Sequence, residues 1–142
     1  MKKTFSSGYA IENIAIVETH FVRKDSNVQL SLPNHNISIT NTIDKETNTI
    51  TCLLQLDYQD ESNSCEAKIK VEGVFKQMEE SKLTLDSFAK INAPSILFPY
   101  LREHLASLSL KASMPIIVLE PVNFILFAEE KQAETDTNQD PS

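Results

Sequence analysis

The sequence predicts an α+β fold in which four antiparallel β-strands precede a long helix and a short C-terminal helix. Three observations predict it. In the first half apolar and polar residues alternate, short polar stretches separate these alternating runs, and in the second half the apolar spacing changes to three and four. Strands joined by short turns favour antiparallel pairing, so we expect a four-stranded meander or a close variant of it. A chain of 142 residues has the size of one domain.

The first two strands are expected over residues 9–21 and 28–39. The first stretch is rich in β-branched residues and places Ile14 and Ile16 on one face. In the second stretch Pro33 and Asn34 interrupt an alternation that resumes afterwards, formed by Val28, Leu30, Leu32, Ile37 and Ile39. We therefore predict one strand with an interruption.

The third and fourth strands carry the clearest alternation, over residues 50–58 and from residue 65 onwards. A polar turn over residues 60–64 joins them. The alternation of the fourth strand changes phase after Gly73, which predicts a β-bulge at this glycine. Cys52 and Cys65 continue the apolar faces of their strands, so both are expected to be reduced, buried side chains.

A long helix is predicted over residues 95–111, capped by Asn92 or Ser95 and kinked at Pro99. Its apolar stripe repeats at three and four and consists of Ile96, Leu97, Tyr100, Leu101, Leu105 and Leu108. We expect this stripe to pack in the hydrophobic core, and its width also allows it to form a subunit interface. The helix should end beyond Ala112, where Ser113, Met114 and Pro115 follow.

Residues 114–127 form the most apolar stretch, but Pro115 and Pro121 prevent a continuous helix there. Such a segment packs over the core or lines an exposed apolar surface, and large exposed patches usually mark binding sites. A short final helix is expected to begin near Asn123. Residues 129–142 hold five acidic residues and one basic residue, so we predict a single domain over 1–128 and an acidic disordered tail over 129–142.

Composition argues against several classes of function. The chain has only two glycines, which is too few for a glycine-rich phosphate-binding loop, and its net charge of -7 disfavours binding to nucleic acid. His20, His35 and His104 are isolated, and no nucleophile with a base is apparent, so we expect no metal, no cofactor and no enzyme. The start of the chain has no signal-peptide pattern, and the most apolar stretch, residues 114–128, is too short and too polar to span a bilayer, so we expect a cytoplasmic protein.

Two runs in the second half carry a specific resemblance. Residues 91–103 read Ile-Asn-Ala-Pro-Ser-Ile-Leu-Phe-Pro-Tyr-Leu-Arg-Glu, and further on come Met114-Pro115 and then Leu-Glu-Pro-Val-Asn-Phe, which ends at Phe124. Together they closely resemble the signature region of the SecB protein-export chaperones. The resemblance covers about a quarter of the chain and is supported more loosely by Gly73-Val74-Phe75 and by the acidic tail.

This resemblance implies a SecB-like four-stranded antiparallel sheet, with a long helix and a short C-terminal helix packed on one side. It implies a homotetramer built as a dimer of dimers, without cofactor or catalysis. Candidates for the client-binding groove are Phe75, Ile116, Val118, Pro121, Val122, Phe124 and Phe127. Candidates for the oligomer interface are Leu101, Leu105 and Leu108.

The family holds precursor proteins unfolded in apolar grooves and passes them to the SecA motor, which docks on acidic residues of the outer sheet face. Glu18 matches such a position, whereas Lys68 stands near another. The resemblance therefore implies an ATP-independent holding chaperone for unfolded precursors of the Sec export pathway. Two alternatives remain open: a SecB-like chaperone dedicated to a narrow client such as an antitoxin, and a structural oligomer that binds no client.

Overall fold

The computed structural model describes residues 7–25 and 33–138. Four strands come first: β1 (Tyr9–Arg23), β2 (Pro33–Asp44), β3 (Thr49–Asp60) and β4 (Cys65–Gln77). A single helical turn, α1 (Leu85–Ser87), and a π-helical turn (Phe88–Asn92) lead directly into the long helix α2 (Ala93–Lys111). The last element is helix α3 (Phe124–Asn138). The predicted α+β class and the order of its elements are confirmed.

The four strands form one antiparallel sheet in the order β1-β4-β3-β2. Strands β2 to β4 form a meander, but β1 crosses over to pair with β4, so the sheet is a variant of the meander. Strands β3 and β4 alternate most regularly between buried and partly exposed residues and occupy the centre, where both of their edges are paired. The predicted residues Val28, Leu30 and Leu32 lie outside the described part of the chain.

The predicted bulge at Gly73 is wrong. The alternation of β4 runs through this glycine, which is buried on the same face as Val71 and Phe75. A Cβ atom there would lie 2.7 Å from Leu97 Cδ2, so the glycine allows α2 to approach the sheet closely. The register shifts occur instead in β1, between Ile11 and Asn13 and between Ile16 and Glu18.

Helical structure begins earlier than predicted. The N-cap is Thr84, whose hydroxyl accepts a hydrogen bond from the Ser87 N–H, whereas Asn92 makes no side-chain cap and Ser95 Oγ donates to the Ile91 carbonyl. Pro99 lies inside α2, which continues through it to its predicted end. The helix packs on β4 and β3 with Leu97, Leu101, Leu105 and Ser109 buried at four-residue spacing.

Helix α3 begins next to Asn123, as predicted, but it extends to Asn138 and so includes ten residues of the segment predicted to be disordered. These residues include good helix formers such as Ala, Glu, Lys and Gln, and Lys131 pairs with Glu134 one turn later. In the described ranges, no helix is long and apolar enough to cross a membrane.

Candidate functional site

The apolar loop, residues 114–123, connects α2 to α3 without regular secondary structure. Its apolar side chains point alternately inward and outward. Met114, Ile117 and Leu119 are buried, whereas Ile116 and Val118 are 53% and 67% exposed. The loop is therefore attached to the core on one side and presents large aliphatic side chains on the other. Exposed apolar side chains that cluster in this way mark interaction surfaces.

Ser109 fixes the position of this loop. It is the one polar residue in the buried stripe of α2 that begins with Leu97, Leu101 and Leu105, and it is fully buried. Its Oγ donates to the Ala106 carbonyl at 2.8 Å and accepts the Ile117 N–H at 3.0 Å, and its carbonyl accepts the Met114 N–H at 3.2 Å. A buried backbone donor needs such a partner, so the hydroxyl holds the inward side of the loop on the helix.

Helix α3 is held at its first residue. Asn123 Oδ1 accepts the N–H groups of Ile125 and Leu126 at 3.0 and 3.2 Å, a side-chain N-cap. The Phe124 ring is buried, with its centroid 5.8 Å from that of Phe98 in α2 and 6.0 Å from that of Phe127. The two residues after Phe124 are more than half exposed, which leaves two further apolar side chains on the surface of α3.

A cavity of about 310 Å³ opens between strand β2, the π-helical turn and α3. We call it the β2 pocket. Its lining comprises Ile39, Asn41, Lys90, Phe127, Ala128, Lys131 and Gln132. Apolar and amide groups come from β2 and α3, and two lysines contribute ammonium groups, so the pocket combines apolar surface with positive charge.

The predicted groove residues separate into three groups. Ile116, Val118 and Pro121 are exposed, and Val122 and Phe127 are half-buried, so all five can meet a ligand. Phe75 and Phe124 are buried in the core and cannot reach one without rearrangement. The predicted set does not include Ile125, Leu126, Asn41 or Lys90. Only Asn41 had a signal in the sequence, because it is a polar residue on the otherwise apolar face of β2 that carries Ile39 and Ile43.

The described residues offer little for nucleophilic chemistry. Cys52 and Cys65 are both buried and unbridged, as expected. Burial raises the pKa of the Cys52 thiol to about 12, and burial, followed by the nearby Asp60 carboxylate, raises the pKa of Cys65. Across ranges 7–25 and 33–138, no group of three or more His, Cys, Asp or Glu residues is arranged to hold a metal ion. The exposed apolar side chains of the loop and of α3 form the main candidate site.

Comparison with known families agrees with this arrangement. The family model described as Preprotein translocase subunit SecB matches residues 4–134, nearly the whole chain. The chain belongs to the SecB family. The match includes the sheet, the apolar loop and most of α3, so the elements that form the β2 pocket all lie within the SecB region.

The chain is also similar to individual proteins. An uncharacterized protein of Methanocaldococcus jannaschii is 26% identical over 122 residues, which cover 82% of this chain and 77% of that protein. The protein-export protein SecB of Pseudomonas fluorescens is 42% identical over 71 residues, which cover 46% of this chain and 42% of that protein. The chain thus spans less than half of the length of this export protein.

Among solved structures, the chain resembles a SecB-like chaperone of Mycobacterium tuberculosis in complex with a ChAD peptide from the HigA1 antitoxin. The TM-score is 0.67 at 16% identity, over 80% of this chain and 87% of that one. This likeness shows that the two proteins share a SecB fold.

The remaining predicted residues lie elsewhere. Leu101 and Leu105 are completely buried inside the protomer, where they cover the sheet, and Leu108 is partly buried. Glu18 is partly exposed on the outer sheet face, but its Oε2 lies 3.8 Å from Lys68 Nζ and 3.7 Å from Lys70 Nζ. The outer face of this SecB protein is therefore a mixture of both charges around Glu18.

Proposed function

We propose that the chain is an ATP-independent holding chaperone that keeps unfolded precursor proteins competent for the Sec export pathway. One observation carries the proposal. Within residues 116–126, four large aliphatic side chains, Ile116, Val118, Ile125 and Leu126, are each more than half exposed. A loop fixed by Ser109 holds the first two outward, so their exposure is a property of the fold. Membership of the SecB family supports the same function.

Binding of an unfolded chain to this surface needs no sequence-specific contact. Burial of apolar area contributes about 25 cal/mol per Å² whatever side chain supplies it. An unfolded precursor exposes many apolar side chains that a folded protein has already buried, so the folded form offers far less area to the surface. The chaperone therefore distinguishes the folding state of a client by its available apolar surface.

We further propose that the protein assembles as a homotetramer, a dimer of dimers. Support comes from a second exposed apolar strip, where β1 lies beside α2. His104 Nε2 lies 3.0 Å from Thr19 Oγ1, which places this side of α2 along β1. Tyr100, one turn before His104, is 48% exposed, and Ile16, three residues before Thr19, is 40% exposed. Several copies would present several grooves to one client and raise its avidity.

We place the protein in the cytoplasm and propose that SecA docks at Glu18 on the outer sheet face. The two neighbouring lysines lower the negative potential around this carboxylate. Replacing one of these two lysines, Lys68→Glu, is expected to increase SecA affinity, and Glu18→Gln is expected to decrease it. Titration of SecA with both variants at low salt measures the effect, and equal affinities would exclude docking at this position.

The proposed chaperone activity is tested with a slow-folding precursor presented first unfolded and then folded. Light scattering during the titration gives the stoichiometry, which we expect to be about one client for each assembled chaperone. The variant Ile116→Ser/Val118→Ser should reduce affinity for the unfolded precursor about tenfold or more, since two apolar contacts are lost. Met78→Ser is the matched control, because Met78 is 65% exposed and lies outside the loop.

Three outcomes can be distinguished. Loss of binding in the loop variant, with unchanged binding in the control, supports the assigned surface. Equal binding by both variants shows that clients bind elsewhere on the molecule. Failure of the wild-type protein to bind any unfolded chain overturns general holding activity and favours a dedicated client.

A further inference from the structure

Strand β2 forms an open edge of the sheet. It pairs with β3 through all twelve residues without a register shift, and no other strand of the described ranges pairs with its opposite side. Between Pro33 and Asp44 the strand contains no acidic residue, lysine or arginine. Native edge strands are usually protected by charges, bulges or a short length, and the interior of β2 has none of these features.

The β2 pocket lies against this edge. Ile39 and Asn41 reach it from the same face of β2, because side chains two residues apart point the same way. The Asn41 Nδ2 donates to the Ala89 carbonyl at 2.9 Å, whereas Asn41 Oδ1 is buried and has no hydrogen-bond partner within residues 7–25 and 33–138. A buried acceptor without a partner is costly, so a donor supplied by a ligand would be favourable there.

The pocket also carries positive charge. Lys90 and Lys131 both contribute to its lining. Each ammonium lies near an acid of its own helical segment, Asp86 at 3.0 Å and Glu134 at 3.6 Å. These side chains are largely exposed, and exposed pairs contribute only modestly, so they can be exchanged for contacts with a ligand. A ligand carboxylate beside an apolar side chain would complement both parts of the pocket.

We infer that an extended segment of a client adds to the open edge of β2 as a further strand and places an apolar side chain, flanked by carboxylates, in the β2 pocket. This inference rests on the proposed chaperone function and adds a preferred class of segment to it. Strand addition provides backbone hydrogen bonds that do not depend on sequence, and alternate side chains provide selectivity. In the added strand, residues two apart from the inserted side chain lie on its face, within reach of the lysines.

The probe is a fluorescent peptide that alternates leucine with serine and carries a central phenylalanine, with glutamate two residues before and after it. Two versions are methylated at backbone nitrogens, one at alternate amides and the other at the remaining amides. A strand donates hydrogen bonds to a neighbour only through alternate N–H groups. One methylated version should therefore bind about tenfold more weakly or worse, whereas the other should bind like the parent peptide.

A second peptide replaces both glutamates with lysine, and its affinity should be about threefold to tenfold lower than that of the glutamate peptide. Lys90→Gln/Lys131→Gln should remove this preference, whereas Lys111→Gln should retain it, because Lys111 lies at the far end of α2. If neither methylation pattern matters, or both weaken binding equally, strand addition is excluded. If a second copy of the chain covered this edge, neither methylation pattern would change peptide binding.

The unfolded precursor is titrated in parallel to separate the two proposals. Precursor binding without dependence on methylation pattern leaves the holding function in place and overturns only strand addition. Absence of precursor binding overturns the proposed function itself. Loss of the charge preference alone, with the methylation effect preserved, removes the carboxylate from the proposal.

Discussion

At the scale of single residues, Gly73 shows how closely the helix and the sheet approach. Gly73→Ala would place a methyl group 2.7 Å from both Leu97 Cδ2 and Phe75 Cε2. These are buried side chains with little room to move, so we expect a loss of about 1–3 kcal/mol in the free energy of unfolding. Urea denaturation measures it. In a Leu97→Ala background the same substitution should cost less, and strictly additive costs would contradict the proposed clash.

The two buried thiols give a residue-scale prediction about pH. The pKa of Cys52 rises from 9.0 to about 12 on folding, because burial disfavours the thiolate. The folded state therefore retains the proton, and the stability that this group contributes is complete below about pH 9 and is lost between about pH 9 and 12. We expect a thiol reagent at about pH 8 to label Cys52 and Cys65 only when urea unfolds the chain. Rapid labelling of the native protein would contradict this.

At the scale of elements, the apolar loop depends on one hydroxyl. Ser109→Ala removes the acceptor of the Ile117 N–H, which is buried, so we expect a loss of about 1–3 kcal/mol in stability. The loop should also become more mobile, which amide hydrogen exchange at Ile117 measures. Ser107→Ala is the control, since no hydrogen bond to the loop involves that side chain in the described structure. Unchanged exchange at Ile117 would show that other contacts fix the loop.

The elements themselves differ in how far the sequence predicts them. The alternation of β3 and β4 is local and regular, so both strands and the buried cysteines could be predicted. The partner of β1 could not, because register shifts at Glu12 and Val17 obscure its alternation and strand pairing depends on distant residues. Gly73 was misinterpreted because a phase change in apolar residues looks like a bulge, whereas here the glycine accommodates a helix.

The candidate site shows the same limit. The positions of the prolines predicted an irregular apolar segment, and its outward residues Ile116 and Val118 are where a client can reach them. Which of its neighbours point inward depends on the hydrogen bonds of Ser109 and on the packing of Phe124 against Phe98, and both arise only when α2 and α3 meet. The β2 pocket combines three separate elements, so no local pattern could indicate it.

At the scale of the whole molecule, Leu101 and Leu105 are buried within the protomer and cannot contact a second subunit. We therefore expect the subunit interface at the exposed strip where α2 lies beside β1. Tyr100 and Ile16 are exposed there, although both are large and apolar. A glutamate in a buried apolar interface would be charged and without a partner, which is costly. We therefore expect Ile16→Glu/Tyr100→Glu to lower the assembled mass, as measured by light scattering after size-exclusion chromatography.

The control for this substitution is Lys45→Glu, which changes charge in the exposed turn between β2 and β3. It should leave the mass unchanged. Because each protomer carries its own apolar loop, the dissociated variant should still bind short apolar peptides, but it should bind a long unfolded precursor more weakly, since linked grooves act together. A monomeric wild-type protein would overturn the proposed assembly itself, whereas an assembled wild-type mass that the double variant keeps would show that the subunits meet through another surface. If the double variant dissociates and still binds the long precursor with wild-type affinity, one groove suffices and assembly serves another purpose.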